Sequence, residues 1–195
     1  TIRVTNNLTN VTDGACFDET KLEFIVEKKP VANVVSDFVA CDDDFDGLFN
    51  FDTSTIEATV LNGQTGMLVS YFDQDNNPLS PLPNPFLTAA QTITVRVENE
   101  LYSNCTAETT FDFIVNPKPQ FELDDTAIYC TNLPPITIET YNPLGVYTYE
   151  WKDENGIMVS TNFDAVISSE GVYTVIATSN EGCESLPHQI IIEAS

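Results

Sequence analysis

In this 195-residue chain, 89 residues separate Cys16 from Cys105. The same 89 separate Cys41 from Cys130 and Pro30 from Pro119. The residues around these marks agree as well. TIRVTNN (1–7) parallels TITVRVEN (92–99), and LEFIVEKKP (22–30) parallels FDFIVNPKP (111–119). An internal repeat constrains architecture more than any single residue, because each unit must be one module stacked on its neighbours. On this spacing, residues 1–29 are expected to be the last two strands of a unit that starts before Thr1. Residues 30–118 make a full unit and residues 119–195 a shorter one, so the chain reads as an internal fragment. The shortening is visible in the cysteines: 64 residues from Cys41 to Cys105, but 53 from Cys130 to Cys183.

Within the units the apolar period is two. Ile93, Val95 and Val97 alternate with Thr94, Arg96 and Glu98, and Tyr147, Tyr149 and Trp151 alternate with Thr148, Glu150 and Lys152. Tyr173, Val175 and Ala177 do the same. This is the pattern of half-buried strands. The runs are punctuated by FDG, NGQTG, DNNP, ENG, SEG and NEG, which are turn signals. No stretch of about 12 residues carries a helical stripe. Roughly seven short strands per unit predict an all-β chain of tandem immunoglobulin-like β-sandwich domains. Trp151 is placed as the core tryptophan of a third strand. GVYTVIATSNEGC (171–183) is placed as a penultimate strand and its turn.

Charge excludes some functions. Seven basic residues stand against 30 acidic ones, for a net charge of −23. Phosphate binding needs clustered Lys or Arg, so nucleic acid is not expected as a partner. Anionic membrane surfaces are disfavoured for the same reason. No apolar run reaches the roughly 20 residues of a membrane span, so membrane insertion is not expected.

Five cysteines are an odd number. Two pairings fit the repeat. Within units, Cys41–Cys105 and Cys130–Cys183 pair, and Cys16 is left unpaired by truncation of the first unit. Across units, Cys16–Cys41 and Cys105–Cys130 pair, and Cys183 is left over. The first is preferred, because extended segments on either side of a Pro-rich linker should carry Cys105 and Cys130 apart. Structural disulfides point to an oxidising, extracellular location.

The middle unit carries C-D-D-D-x-D-G-x-F-x-F-D (41–52), SYFDQDNNPLSPLPNPF (70–86) and TITVRVEN. The third carries Y-x-W (149–151), G-x-Y-x-V (171–175) and G-C (182–183). Together these resemble repeats of large cell-surface adhesins of Bacteroidota, exported by type IX secretion, and the immunoglobulin-like gliding-motility repeats that accompany them. The resemblance covers essentially the whole chain. It implies long extracellular stalks, surface attachment, sometimes gliding, and a C-terminal sorting domain outside this sequence. The partners it implies are neighbouring repeats of the same chain, the type IX secretion machinery, and a surface glycan or protein ligand. Asp125-Thr126-Ala127 is similar to the short site these bacteria O-glycosylate, which makes Thr126 a candidate.

Asp42, Asp44 and Asp46, spaced at i, i+2 and i+4 before Gly47, open like a calcium loop. The Leu48 carbonyl would add a ligand, and Asp52, or Asp73 and Asp75, could complete the shell. Thr53 stands where an EF-hand has its Glu, and no helices flank the run, so an EF-hand is excluded. Calcium and a solvated acidic turn are the two readings of this stretch. Catalysis is not expected. The one histidine, His188, reads as exposed on the final strand, and no GxSxG, HExxH or phosphate loop occurs. A glycan site would draw on Tyr71, Phe72, Tyr141, Tyr147 or Tyr149, of which Tyr141 is the most loop-like. The sequons at Asn7, Asn10 and Asn104 read as chance. The expectation is a structural stalk of an adhesin. The alternative is a spacer or carbohydrate-binding pair from a secreted polysaccharide-degrading enzyme.

Overall fold

The computed structural model describes residues 1–5, 17–24, 26 and 28–195. Cys16, Asn7 and Asn10 lie outside the described residues. The chain opens with a hairpin, β1 (Ile2–Thr5) and β2 (Phe17–Thr20), in which Ile2 faces Thr20 and Thr5 faces Phe17. Arg3 pairs with Glu19 across it, and its guanidinium lies 4.3 Å from the Phe17 ring centroid. Ile2, Val4 and Phe17 remain exposed.

The next elements are β3 (Phe38–Cys41), β4 (Phe49–Phe51), α1 (Ile56–Leu61), β5 (Met67–Phe72), β6 (Phe86–Thr88), β7 (Gln91–Asn99) and β8 (Thr106–Asn116). They form a four-stranded sheet, β3-β8-β7-β5, facing a pair, β4-β6. The alternation in β7 buries Ile93, Val95 and Val97, each at 0% exposure, while Thr94, Arg96 and Glu98 stay half-buried. Phe111 and Phe113 of β8 meet Phe38 and Phe51 edge-on or tilted, with ring centroids 4.6–5.7 Å apart, the spacing favoured by aromatic quadrupoles. The helix α1 was not expected. It is six residues long, too short for a stripe to register. Ile56 and Val60, one turn apart, drop into the same core.

The last unit comprises β9 (Thr126–Tyr129), β10 (Ile136–Glu139), β11 (Thr148–Lys152), β12 (Met158–Ser160), β13 (Asp164–Ile167), β14 (Gly171–Thr178) and β15 (His188–Ala194). Its sheets are β12-β11-β14-β15-β9 and β10-β13. The two units therefore share a topology. In each, the first strand runs parallel to the last (β3 with β8, β9 with β15), and every other pairing is antiparallel.

Trp151 is the centre of the second core at 0% exposure, as its alternation required. Its indole N–H donates to the Asn162 carbonyl at 3.0 Å, so no polar atom is lost by burial. The Tyr173 hydroxyl lies 3.2 Å from the Ser169 carbonyl, four residues upstream, to which it donates. A tyrosine at the start of the penultimate strand bonded back to the preceding corner is a mark of the immunoglobulin sandwich.

Candidate functional site

The first strand of each unit ends beside the end of the last strand: Cys41 is opposite Asn116. This is the pole from which the chain leaves the sandwich. The turn between the last two strands lies at the other pole, where the chain arrives. Cys183 sits in that turn, fully buried. Only Pro117, Lys118 and Pro119 separate Asn116 from Gln120, and Gln120 already belongs to the next sandwich. Its N–H reaches the Tyr147 hydroxyl at 3.4 Å, and its carbonyl accepts the Leu144 N–H at 3.0 Å. Three residues, two of them Pro, leave the leaving pole of one unit against the arriving pole of the next.

The disulfide follows from this juxtaposition. Cys41 bonds Cys183, with the Cα atoms 5.7 Å apart and 142 residues between them. It joins the two sandwiches rather than closing either. The expected Cys41–Cys105 and Cys130–Cys183 bridges are both corrected. Cys105 precedes β8 and Cys41 lies beside its far end, so the strand separates them. At roughly 3.3 Å per residue, 11 residues of strand span about 35 Å, against the roughly 7 Å limit of a disulfide. Cys130 and Cys183 are held apart by β15 in the same way. Among the described residues, Cys105 and Cys130 are free thiols, so the alternative Cys105–Cys130 pairing is also absent. The other alternative, Cys16–Cys41, is excluded because Cys41 is taken.

FVACDDDFDG is the strand end and loop that carry this staple. Asp42, 6% exposed, accepts three N–H groups of its own loop. Oδ1 takes those of Asp44 at 3.3 Å and Phe45 at 2.8 Å, and Oδ2 takes that of Gly47 at 2.9 Å. Asp44 Oδ1 accepts from Asp46 at 3.3 Å, and Asp46 Oδ1 from Leu48 at 2.7 Å. Phe45 and Gly47 both have positive φ, 68° and 77°. Gly47 is the residue that tolerates this without a Cβ penalty. The loop is thus a ladder of Asx turns, and its sharp fold brings three carboxylates together. One oxygen from each of Asp42, Asp44 and Asp46 lies within 4.8 Å of the others.

Asp52 does not join them. It accepts the Ser54 N–H at 2.9 Å, and the Ser54 hydroxyl and N–H hold its carboxyl below the usual range. Asp73 is spent on its own turn, where Asn77, through its side chain and then its backbone, holds the carboxyl low. The N–H of Asp75 also goes to Asp73.

The loop reaches across the junction. Lys118 Nζ donates to the Asp43 carbonyl at 3.2 Å. Phe45 lines a cavity of about 280 Å³ with Pro119, Gln120, Phe121, Leu186 and His188. His188 is half-buried and stacks on Phe121, ring centroids 4.4 Å apart, which corrects the expectation of an exposed strand histidine. No sequence signal named Phe45 or His188 as junction residues. The short Pro-Lys-Pro link and a cysteine placed in a turn were the available hints.

The remaining candidates lie elsewhere. Thr126 is exposed at the start of β9, an edge strand. Tyr71 and Tyr149 are buried in the cores, so neither offers a ring to a sugar. Tyr141 is 38% exposed, and its hydroxyl bonds Asp124 at 3.0 Å. Asn104 is exposed in the turn before β8.

Two units with matching immunoglobulin-like sheets, closed end to end by a disulfide, define the class: a tandem immunoglobulin-like segment. Residues 37–119 match the model of the Flavobacterium inter-domain disulphide bond domain. None of the curated proteins compared matches the chain. Among solved structures it is similar to a three-immunoglobulin-domain structure of titin, at 13% identity over 67% of this chain and 56% of that one, with a TM-score of 0.43. Immunoglobulin domains 1–4 of Sidekick-1 are similar at 11% identity over 82% and 47%, with a TM-score of 0.47. The insect immune protein hemolin is similar at 13% over 98% and 55%, with a TM-score of 0.42. The chain spans about half the length of these structures. They add no argument to the strand order, which defines the class alone.

Proposed function

We propose that this segment is a stiff spacer in the stalk of a secreted bacterial cell-surface adhesin, exported by the type IX route and serving attachment or gliding. The observation that carries the reading is the Cys41–Cys183 staple. A bond between domains removes bending at their joint, which is useful where a chain must project a distant tip. Short Pro-bearing links act in the same sense. The arriving link of the second unit is also clamped. Gln64 bonds both the N–H and the carbonyl of Val31, at 3.0 and 2.7 Å, and Asn33 Nδ2 donates to the Val60 carbonyl at 2.8 Å. A disulfide suits an oxidising, extracellular setting. Among the described residues, no helix is long and apolar enough to cross a membrane. The reading assigns no catalytic role to this segment. Any glycan or protein ligand belongs to the tip, and no observation favours the polysaccharidase spacer over the adhesin.

Small-angle scattering tests the stiffness. The oxidised chain should show one maximum dimension, and a Cys41→Ser, Cys183→Ser double variant should show a broader distribution with both sandwiches intact. Superimposable curves would remove the staple from the mechanism.

Calcium at the loop is a second, separable part of the proposal. The residues fit part of a shell: three clustered carboxylates, of which Asp44 and Asp46 each engage one oxygen with the backbone. Calcium takes 6–8 oxygens, so carbonyls and water would supply the rest. Millimolar calcium should raise the melting temperature of the chain relative to excess chelator. An Asp44→Asn, Asp46→Asn variant should lose that rise. Coincident melts of the parent would leave the stretch as an acidic turn.

A further inference from the structure

Cys105 and Cys130 occupy the same two backbone positions as the bonded pair. In the last unit, the Ser179 N–H donates to the Cys183 carbonyl at 2.9 Å, closing the turn between β14 and β15. In the middle unit, the Asn99 N–H donates to the Cys105 carbonyl at 3.0 Å, closing the turn between β7 and β8. At the other pole, the residue after Cys41 donates to Asn116, Asp42 N–H to carbonyl at 2.8 Å. The residue after Cys130 does the same to the end of its last strand, Thr131 N–H to the Ser195 carbonyl at 3.3 Å. Cys105 is therefore at the arriving pole of its unit, as Cys183 is. Cys130 is at the leaving pole, as Cys41 is. The 89-residue period gives the Cys41–Cys130 equivalence from sequence as well, whereas the shorter last unit sets Cys183 78 residues after Cys105.

The rule in the observed junction is that the leaving-pole cysteine of one unit bonds the arriving-pole cysteine of the next. We propose that Cys105 and Cys130 are the outward halves of two further staples of this kind. Cys105 bonds a cysteine at the end of the first strand of the preceding unit. Cys130 bonds a cysteine in the last hairpin turn of the following unit. Every unit then carries two cysteines, one for each neighbour, and none for itself.

The preceding unit has its own mark. The hairpin β1-β2 repeats the Arg–Glu cross-strand pair of β7-β8, Arg3 with Glu19 and Arg96 with Glu108. Its Ile2 and Val4 are exposed where Val95 and Val97 are buried, and Leu22 is exposed where Phe111 is buried. Each bond forms by loss of two protons and two electrons from a pair of thiols. A protein disulfide oxidant accepts them by thiol–disulfide exchange, its own disulfide becoming a dithiol.

This rests on the stalk reading, and the test separates the two. The full chain is alkylated without reductant, digested, and its disulfide-linked peptides are mapped by mass spectrometry. The expected map has Cys41–Cys183, a Cys105 peptide joined upstream of Thr1, and a Cys130 peptide joined downstream of Ser195. Each new bond should span close to the 142 residues of the observed one. Cys105 and Cys130 recovered alkylated, joined to each other, or joined to a second copy, with Cys41–Cys183 intact, would overturn the inference and leave the stalk reading standing. Cys41 recovered alkylated would overturn both.

Discussion

Tyr71 is 4% exposed in the middle core, and its neighbourhood gives a pH signature that belongs to one residue. Burial, and then the charge of Glu57, pushes its phenol from 10 up to about 12. The folded state therefore keeps a proton that the unfolded state releases. Between pH 10 and 12 the unfolded chain gains by ionising and the folded chain does not, so stability falls as pH rises through that window. Below it the residue has no pH effect. The slope is at most about 1.4 kcal/mol per pH unit. Urea midpoints measured across this window should fall more steeply for the parent than for Tyr71→Phe. Parallel slopes would mean that the phenol titrates as if exposed. The sequence placed Tyr71 among sugar-stacking candidates, because an isolated aromatic before FDQDNN reads equally as surface or core. The pairing of β5 with β7 puts it inside, opposite Val95.

The loop from Asp42 to Leu48 is the element on which sequence and structure agree in part. Its DxDxDG spacing was legible. Its use was not, because the same alternation serves an ion or the loop's own amides, and both bring the carboxylates inward. The structure adds the carboxylate hydrogen bonds, all to the loop's own amides, with Asp42 at their centre. Asp42→Ala removes the acceptor of three N–H groups. It should cost about 2–3 kcal/mol in urea unfolding of the oxidised chain, since an unsatisfied buried donor costs about 1–3 kcal/mol and the outer two reach water. Asp42→Asn, which keeps one acceptor oxygen, should fall between. A loss under about 0.5 kcal/mol, the level of an ordinary surface substitution, would show that the turn is held by the disulfide rather than by Asp42. The helix α1 marks the opposite case: two buried side chains one turn apart are too few for a period to be read.

Across the whole molecule, one bond couples two cores. Closing 142 residues is worth about 5 kcal/mol in the chain-entropy model, if both units unfold together. Trp151 is the only tryptophan, so its fluorescence reports the last sandwich alone, while far-ultraviolet dichroism reports both. The two probes should give one transition in the oxidised chain. In Cys41→Ser, Cys183→Ser they should separate, with the tryptophan transition lower by roughly 4 °C or more. A single transition unchanged by the substitutions would mean that the units are coupled through the junction cavity, not the staple.

Strand identity, the sandwich class, the buried face of β7 and β14 and the place of Trp151 were all readable from the chain. Each depends on contacts between near neighbours or on a period of two. The partner of each cysteine was not readable. Pairing depends on which pole of a sandwich a residue reaches, and the parallel docking of a first strand against a last strand sets that pole. Cys41 lies 64 residues from Cys105 along the chain, yet at the far end of β8 from it. It lies 142 residues from Cys183, yet 5.7 Å away. Spacing in sequence counts residues, whereas a disulfide answers to distance, and only the stacking of one folded unit on the next brings those two cysteines within reach.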